Sequence, residues 1–219
     1  MKETAVKTKK GKNMKRVFNL LVVDESGSMS IIQHQALVGI NETLETIQKM
    51  QQAHKELEQT VTLITFDSTH KKLVYDNMPA DKATPLRSSD YNPCGGTPLY
   101  DAIGMGIAKI NAQATEDDTV LVTIITDGEE NCSEEYDLRM IKNLIEKLKK
   151  QRWTFTFIGT DNLDVENIAC CMGIDNHLQF KEDEEGTRKM FARERLARTR
   201  FSQSIAEDRC IEPGSYFDE

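Results

Sequence analysis

The sequence predicts a three-layer α/β/α fold with a mostly parallel central sheet and one antiparallel edge strand. Three observations carry that prediction. Short apolar runs rich in β-branched residues alternate with segments of helical periodicity, the pattern of parallel strands covered on both faces. Two of the runs, residues 17–23 and 119–126, are apolar almost throughout, as strands at the centre of such a sheet must be. Two others, residues 59–66 and 71–75, are joined by a short turn and form a hairpin at one edge. At 219 residues, with 38% hydrophobic and 29% charged residues, the chain has material for one domain with a real core.

Residues 1–14 read as a basic leader. They lack the apolar stretch of a secretory signal. The run Val17 to Val23 is interrupted only by Asn19 and ends in Asp24-x-Ser26-x-Ser28, with Gly27 giving the turn its freedom. Leu37, Ile40, Leu44, Ile47 and Met50 then repeat at helical spacing, and Ser30 stands where it could cap the helix. The hairpin strands follow. Residues 76–98 hold four of the five prolines and form a long loop, closed by Cys94-Gly95-Gly96-Thr97-Pro98. Leu99, Ile103, Ile107 and Ile110 share the face of a second helix, where Gly104 and Gly106 permit close packing on the sheet.

The strand Thr119 to Thr126 ends in Asp127-Gly128-Glu129-Glu130-Asn131. Ser133 to Lys150 has a capping-type start and a basic last turn, as a helix prefers. A strand at 153–158, a short helix at 163–172 and a short strand at 177–180 complete the alternation. A final helix runs from Glu182 to about Ser204, with its arginines (Arg188, Arg193, Arg195, Arg198, Arg200) read as a solvated face. The folded domain is thus placed at residues 15–203 and a loose tail at 204–219.

Composition excludes several classes. A net charge of −8 argues against general nucleic-acid binding. No apolar run approaches the roughly 20 residues of a membrane helix. The five cysteines are odd in number and none falls in a C-x-x-C pair, which suits reduced thiols in a cytoplasmic protein and argues against zinc. There is no G-x-S-x-G elbow and no phosphate-binding G-x-x-x-x-G-K-[ST] loop, so the chain reads as a non-enzyme.

The residues that suggest chemistry are Asp24, Ser26, Ser28, Thr97 and Asp127. Each sits at a strand end or in a loop, and in open α/β sheets ligands bind beyond the carboxyl ends of the strands. All are small oxygen donors, without histidine or thiolate. That set favours magnesium, with manganese or calcium as alternatives. Taken singly, each motif has a plainer reading: a polar turn for Asp24, Ser26 and Ser28, a helix cap for Thr97, and a turn for Asp127-Gly128. Together they favour a metal site.

In this order, D-E-S-G-S, G-G-T-P-L-Y-D-A-I and T-D-G-E-E-N resemble the metal-ion-dependent adhesion site of von Willebrand factor A domains, which have a Rossmann-like fold. The spacing is similar to that of compact bacterial and phage members, and the resemblance covers about residues 15–203. It implies that Ser26 and Ser28 bind the metal directly and that Thr97 binds directly or through water. Asp24 and Asp127 would act through metal-bound water. It further implies a protein partner that offers an Asp or Glu to the metal, and a last helix, here from Glu182, that moves with ligand.

The leading function is therefore a divalent-metal-dependent protein-interaction module. The alternatives are a scaffold with a structural metal and a metal-dependent phosphatase-like hydrolase, for which Ser26 replaces the second aspartate that acid/base work would need. Glu25, Tyr91, Asn92, Tyr100, Glu129 and Asn131 are expected to rim the site, with Cys94 and Cys132 nearby as incidental thiols. Oligomeric state is left open.

Overall fold

The computed structural model describes residues 14–218. The basic leader lies outside the described residues except for Met14. Six strands, β1 (Lys15–Asp24), β2 (Leu57–Phe66), β3 (Lys71–Pro79), β4 (Thr119–Thr126), β5 (Trp153–Thr160) and β6 (Asn176–Phe180), form one sheet in the order β3-β2-β1-β4-β5-β6. Every pairing is parallel except β2 with β3, the antiparallel edge. The predicted α/β fold with a single antiparallel edge strand is the observed one.

The layers follow from the alternation of side chains along the strands. On β1, Phe18, Leu20 and Val22 enter the core beneath α2 (Leu99–Asn111), α3 (Leu138–Leu148) and α4 (Val165–Met172). Val17, Leu21 and Val23 point to the opposite core, under α1 (Gln33–Ala53) and α5 (Glu184–Ala206). A strand with both faces buried is apolar at nearly every position, which is why the run around Leu20 does not alternate.

Close approach of elements is built on glycine. A Cβ on Gly39 of α1 would lie 2.0 Å from the Phe191 ring of α5, so the two helices meet there at a distance only glycine allows. Gly106 faces Leu20 of β1 as expected, whereas Gly104 is covered by the ring of Tyr136.

Several expectations are corrected. Ser30 does not cap α1; residues Gly27–Ile32 form a 3-10 turn and the α-helix begins at Gln33. Thr97 does not cap α2, because Pro98 holds the cap position. The third helix starts at Leu138, with the Asp137 carboxylate accepting the Met140 N–H at 2.7 Å, rather than at Ser133. Residues 134–136 instead donate their N–H groups to the buried carboxylate of Asp101, which also holds Lys71 at 3.0 Å. Burial would raise the Asp101 pKa, but these donors outweigh it and the carboxyl sits below its ordinary value.

The arginines of α5 are not all a solvated face. Arg198 is 0% exposed. Its guanidinium donates to Glu194 at 2.7 Å, to Asn19 at 2.6 Å and to Thr123 at 2.8 Å. Burying a charge is costly unless it is paired and fully hydrogen-bonded. That requirement explains the one polar residue inside the first strand: Asn19 is an acceptor for Arg198.

The tail is not loose either. Tyr216 and Phe217 are each 5% exposed and join the core under α5. The Tyr216 hydroxyl donates to Glu194 at 3.1 Å, and its N–H donates to Asn176 at 3.0 Å. Polar flanks hid two aromatic residues that supply apolar area for docking.

Candidate metal centre

The strand order reverses direction between β1 and β4, so the loops leaving their carboxyl ends diverge and open a crevice. Asp24 ends β1, and Asp127 follows Thr126, the last residue of β4. The sheet ladder pairs Val23 with Ile125 on strands about 5 Å apart, so Asp24 comes beside Thr126 and Asp127 follows one residue past the end of the neighbouring strand. The site is therefore positioned by backbone.

Three segments meet there. Ser28 donates its hydroxyl to Asp127 Oδ1 at 2.7 Å and lies 3.2 Å from the hydroxyl of Ser26. Asp24 Oδ1 accepts the Ser26 N–H at 2.7 Å, and Asp24 Oδ2 accepts the Thr126 hydroxyl at 2.5 Å. Thr97 arrives from the loop before α2. A Cβ on Gly128 would stand 3.0 Å from Thr97 Oγ1 and 3.7 Å from Ser28 Oγ, so both hydroxyls flank the same glycine. The structure thus brings all five predicted residues together. Four of them, Asp24, Ser26, Thr97 and Asp127, are buried, and Ser28 is open to solvent.

The electrostatics suit a cation. Burial raises the Asp24 pKa against the hydrogen bonds from Thr126 and Ser26. Burial also raises Asp127, to about 7, with the charges of Asp24 and Glu182 adding to it and the Ser28 hydroxyl opposing it. Asp127 Oδ2 is buried and has no hydrogen-bond partner. An orphaned carboxylate oxygen beside three hydroxyls fits a hard divalent ion, which would neutralise the pair and complete the oxygen's bonding. Among the described residues, no group of three or more His, Cys, Asp or Glu side chains is poised for a metal. The donor set here is two carboxylates and three hydroxyls, so softer metals gain nothing from it.

The loops are fastened around this set. Gly27 N–H donates to Gly95 O at 3.0 Å, and Gly95 has φ +69°, where a Cβ would lie 2.4 Å from Ser68 Oγ. Asp67 accepts from Thr69 and His70; burial would raise its pKa, but these donors lower it. The Cys94 thiol donates to Asp67 at 3.4 Å, and this bond is the main cause of its raised pKa. Burial raises Cys132. Neither thiol is activated as a nucleophile.

Two of the expected rim residues are interior. Tyr91 is 0% exposed, with its hydroxyl donating to the Asp24 carbonyl at 2.6 Å; burial, then the charges of Asp24, Glu25 and Asp127, hold its pKa well above the usual tyrosine value. Glu25 is 2% exposed and accepts the Asn92 N–H. Asn92, Glu129 and Asn131 are exposed, and Tyr100 is half-buried. Sequence reasoning missed Thr126, which orients Asp24. Its signal was a polar residue ending an apolar strand directly before an aspartate.

Comparison with known proteins agrees with this architecture. The fold is similar to that of a D319A mutant of the PilB minor pilin from Streptococcus sanguinis, at 14% identity and a TM-score of 0.60, covering 94% of this chain and 63% of that one. This chain therefore spans less than two thirds of the pilin's length. It is also similar to the pilus adhesin SpaC from Lactobacillus rhamnosus GG in its open conformation, at 16% identity and a TM-score of 0.62, covering 90% of this chain and 30% of that one. The vWF domain of the type V pili tip protein Mfa5 from Porphyromonas gingivalis shares 11% identity at a TM-score of 0.61, covering 91% of this chain and 98% of that one. No curated protein sequence matches. The family model for the von Willebrand factor type A domain matches residues 20–193, most of the chain. On the strength of that match and of the sheet order that accompanies it, the chain belongs to the von Willebrand factor type A domain family.

Proposed function

We propose that this chain is a metal-dependent protein-interaction module, which holds magnesium, or manganese or calcium, in an adhesion-type site and captures an acidic side chain of a partner. The observation that carries the proposal is Asp127 Oδ2, a buried carboxylate oxygen without a hydrogen-bond donor, set among the hydroxyls of Ser26, Ser28 and Thr97. Ser26, Ser28 and Thr97 would hold the ion, and Asp24 and Asp127 would balance its charge. When bound, the cation supplies an electrophilic position that a carboxylate from another protein can fill. Hydroxyl donors favour that role, because they coordinate without adding negative charge.

The fold neighbours include a pilus adhesin and a pilus tip protein, which is consistent with an interaction role. A non-catalytic reading is supported by Ser26, whose hydroxyl meets Ser28 where a phosphatase would need an acid. Among the described residues no helix is long and apolar enough to cross a membrane. The cysteines are all free and four of them are exposed, which supports a reducing, cytoplasmic setting.

The test is calorimetric titration of magnesium and manganese into wild type, Ser28→Ala and Asp127→Ala. One site in wild type and sharply weaker binding in both variants is expected. Unchanged binding in both would sink the proposal. Partner capture that needs magnesium and is lost in Asp127→Ala would separate the adhesion role from a scaffold with a structural metal, which would keep its partner.

A further inference from the structure

Thr97 belongs to a different segment from the other four residues of the centre. It precedes α2, whereas Asp127 follows β4, and nothing in the sheet ladder ties one to the other. The structure supplies a tie elsewhere. The side-chain oxygen of Asn131 accepts the Thr97 N–H at 2.8 Å, and the Asn131 N–H donates to the Thr97 carbonyl at 3.2 Å. One residue thus takes both main-chain groups of Thr97.

The bracket is itself braced. The Glu130 carboxylate accepts the N–H groups of Cys132 and Ser133 at 2.9 and 2.7 Å and the Ser133 hydroxyl at 2.6 Å. It also accepts the Tyr100 N–H at 2.9 Å, in the first turn of α2. Neighbouring Gly96 leaves room for Asn131: a Cβ there would lie 2.8 Å from its Oδ1. Asn131 is exposed and sits four residues after Asp127 on the same loop, so a short span of chain links the two site residues.

We infer that Asn131 is a positioning residue for the metal centre, fixing the Thr97 hydroxyl relative to Asp127 by gripping the Thr97 main chain on both sides. An exposed asparagine making two bonds to one residue adds little to core stability. Its effect falls on where Thr97 Oγ1 stands. Groups that orient a ligand typically change metal affinity about 10- to 100-fold when removed. The inference rests on the metal reading above.

The experiment titrates magnesium into wild type, Asn131→Ala, Asn131→Asp, Thr97→Ala and the double variant Thr97→Ala/Asn131→Ala, each with an unfolding midpoint in EDTA. Asn131→Ala is expected to bind magnesium about 10- to 100-fold more weakly. Asn131→Asp keeps an acceptor for the Thr97 N–H and should restore affinity to near wild type. The double variant should bind no more weakly than Thr97→Ala, because Asn131 acts through Thr97. The EDTA midpoint of Asn131→Ala should shift far less than its affinity implies. Wild-type affinity in Asn131→Ala, or additive losses in the double variant, would overturn the inference and leave the metal reading standing. Absence of binding in wild type would remove both.

Discussion

Ser28 donates its hydroxyl to Asp127 at 2.7 Å, closing a gap of 99 residues in sequence with one hydrogen bond. The bond joins the loop after β1 to the loop after β4 and leaves the second oxygen of Asp127 buried and unpaired. Its consequences are measurable in several ways.

The first concerns pH. The ordinary aspartate value is 3.8, and folding raises Asp127 to about 7 and Asp24 in the same direction, mainly through burial. A group raised on folding binds more protons in the native state, so its contribution to stability is present in acid and lost as pH rises through the folded value. In EDTA the unfolding midpoint should therefore fall between about pH 4 and pH 7 and level off above that. Asp67 and Asp101 are lowered and act in the opposite sense, but only in more acid solution. Magnesium should reverse the fall, and its binding should release protons and weaken below about pH 7. Thermal unfolding across this range, with EDTA or with magnesium, checks it; a flat profile in EDTA would refute it.

Gly128 offers a steric test. An alanine there would bring a methyl group to 3.0 Å from Thr97 Oγ1. Gly128→Ala should fold and lose about tenfold in magnesium affinity, equivalent to roughly 1.4 kcal/mol. Calorimetry at equal affinity to wild type would count against Thr97 as a ligand.

The buried pair beneath the sheet predicts non-additivity. Arg198→Met leaves Glu194, 1% exposed, without its cation and should destabilise by about 3–5 kcal/mol. Adding Glu194→Leu should recover part of that loss. Urea unfolding of the single and double variants decides the point, and a double variant that is worse than Arg198→Met would refute the argument.

Tyr216 predicts that the final residues stabilise the domain. Tyr216→Ala should cost about 3 kcal/mol, the scale for a buried aromatic ring, and Tyr216→Phe about 1 kcal/mol for the bond to Glu194. Equal stability of Tyr216→Ala and wild type in urea would show that the segment is dispensable.

How much of this was legible in the sequence depends on the range of the interaction. Strand and helix order could be read because periodicity is local, and the runs around Leu20 and Val122 were apolar on both faces. The meeting of Asp24, Ser26, Ser28, Thr97 and Asp127 could be anticipated because three short motifs each sit at a strand end or in a loop. Asn19 could not be interpreted, since its partner Arg198 lies 179 residues away. Ser133 looked like a helix start because its pattern was right, yet Glu130 had captured its own amide group and Asp101 those of the three residues that follow. Tyr91 and Glu25 looked exposed on polar loops; their burial depends on how the long loop folds over Asp24. Tyr216 was hidden for the same reason, with one aromatic pair in a polar tail and its dock supplied by a distant helix.

The sheet order has a consequence for assembly in time. The site straddles β1 and β4, and β4 is made about a hundred residues after β1 begins. Parallel pairing over such a separation is slow to form, because long loops must close before contacts reward them. A nascent chain stopped before residue 119 carries Asp24, Ser26, Ser28 and Thr97 without the strand that presents Asp127. The proposed cation therefore could not seed the fold, and its uptake would mark a chain in which β1 and β4 are already paired.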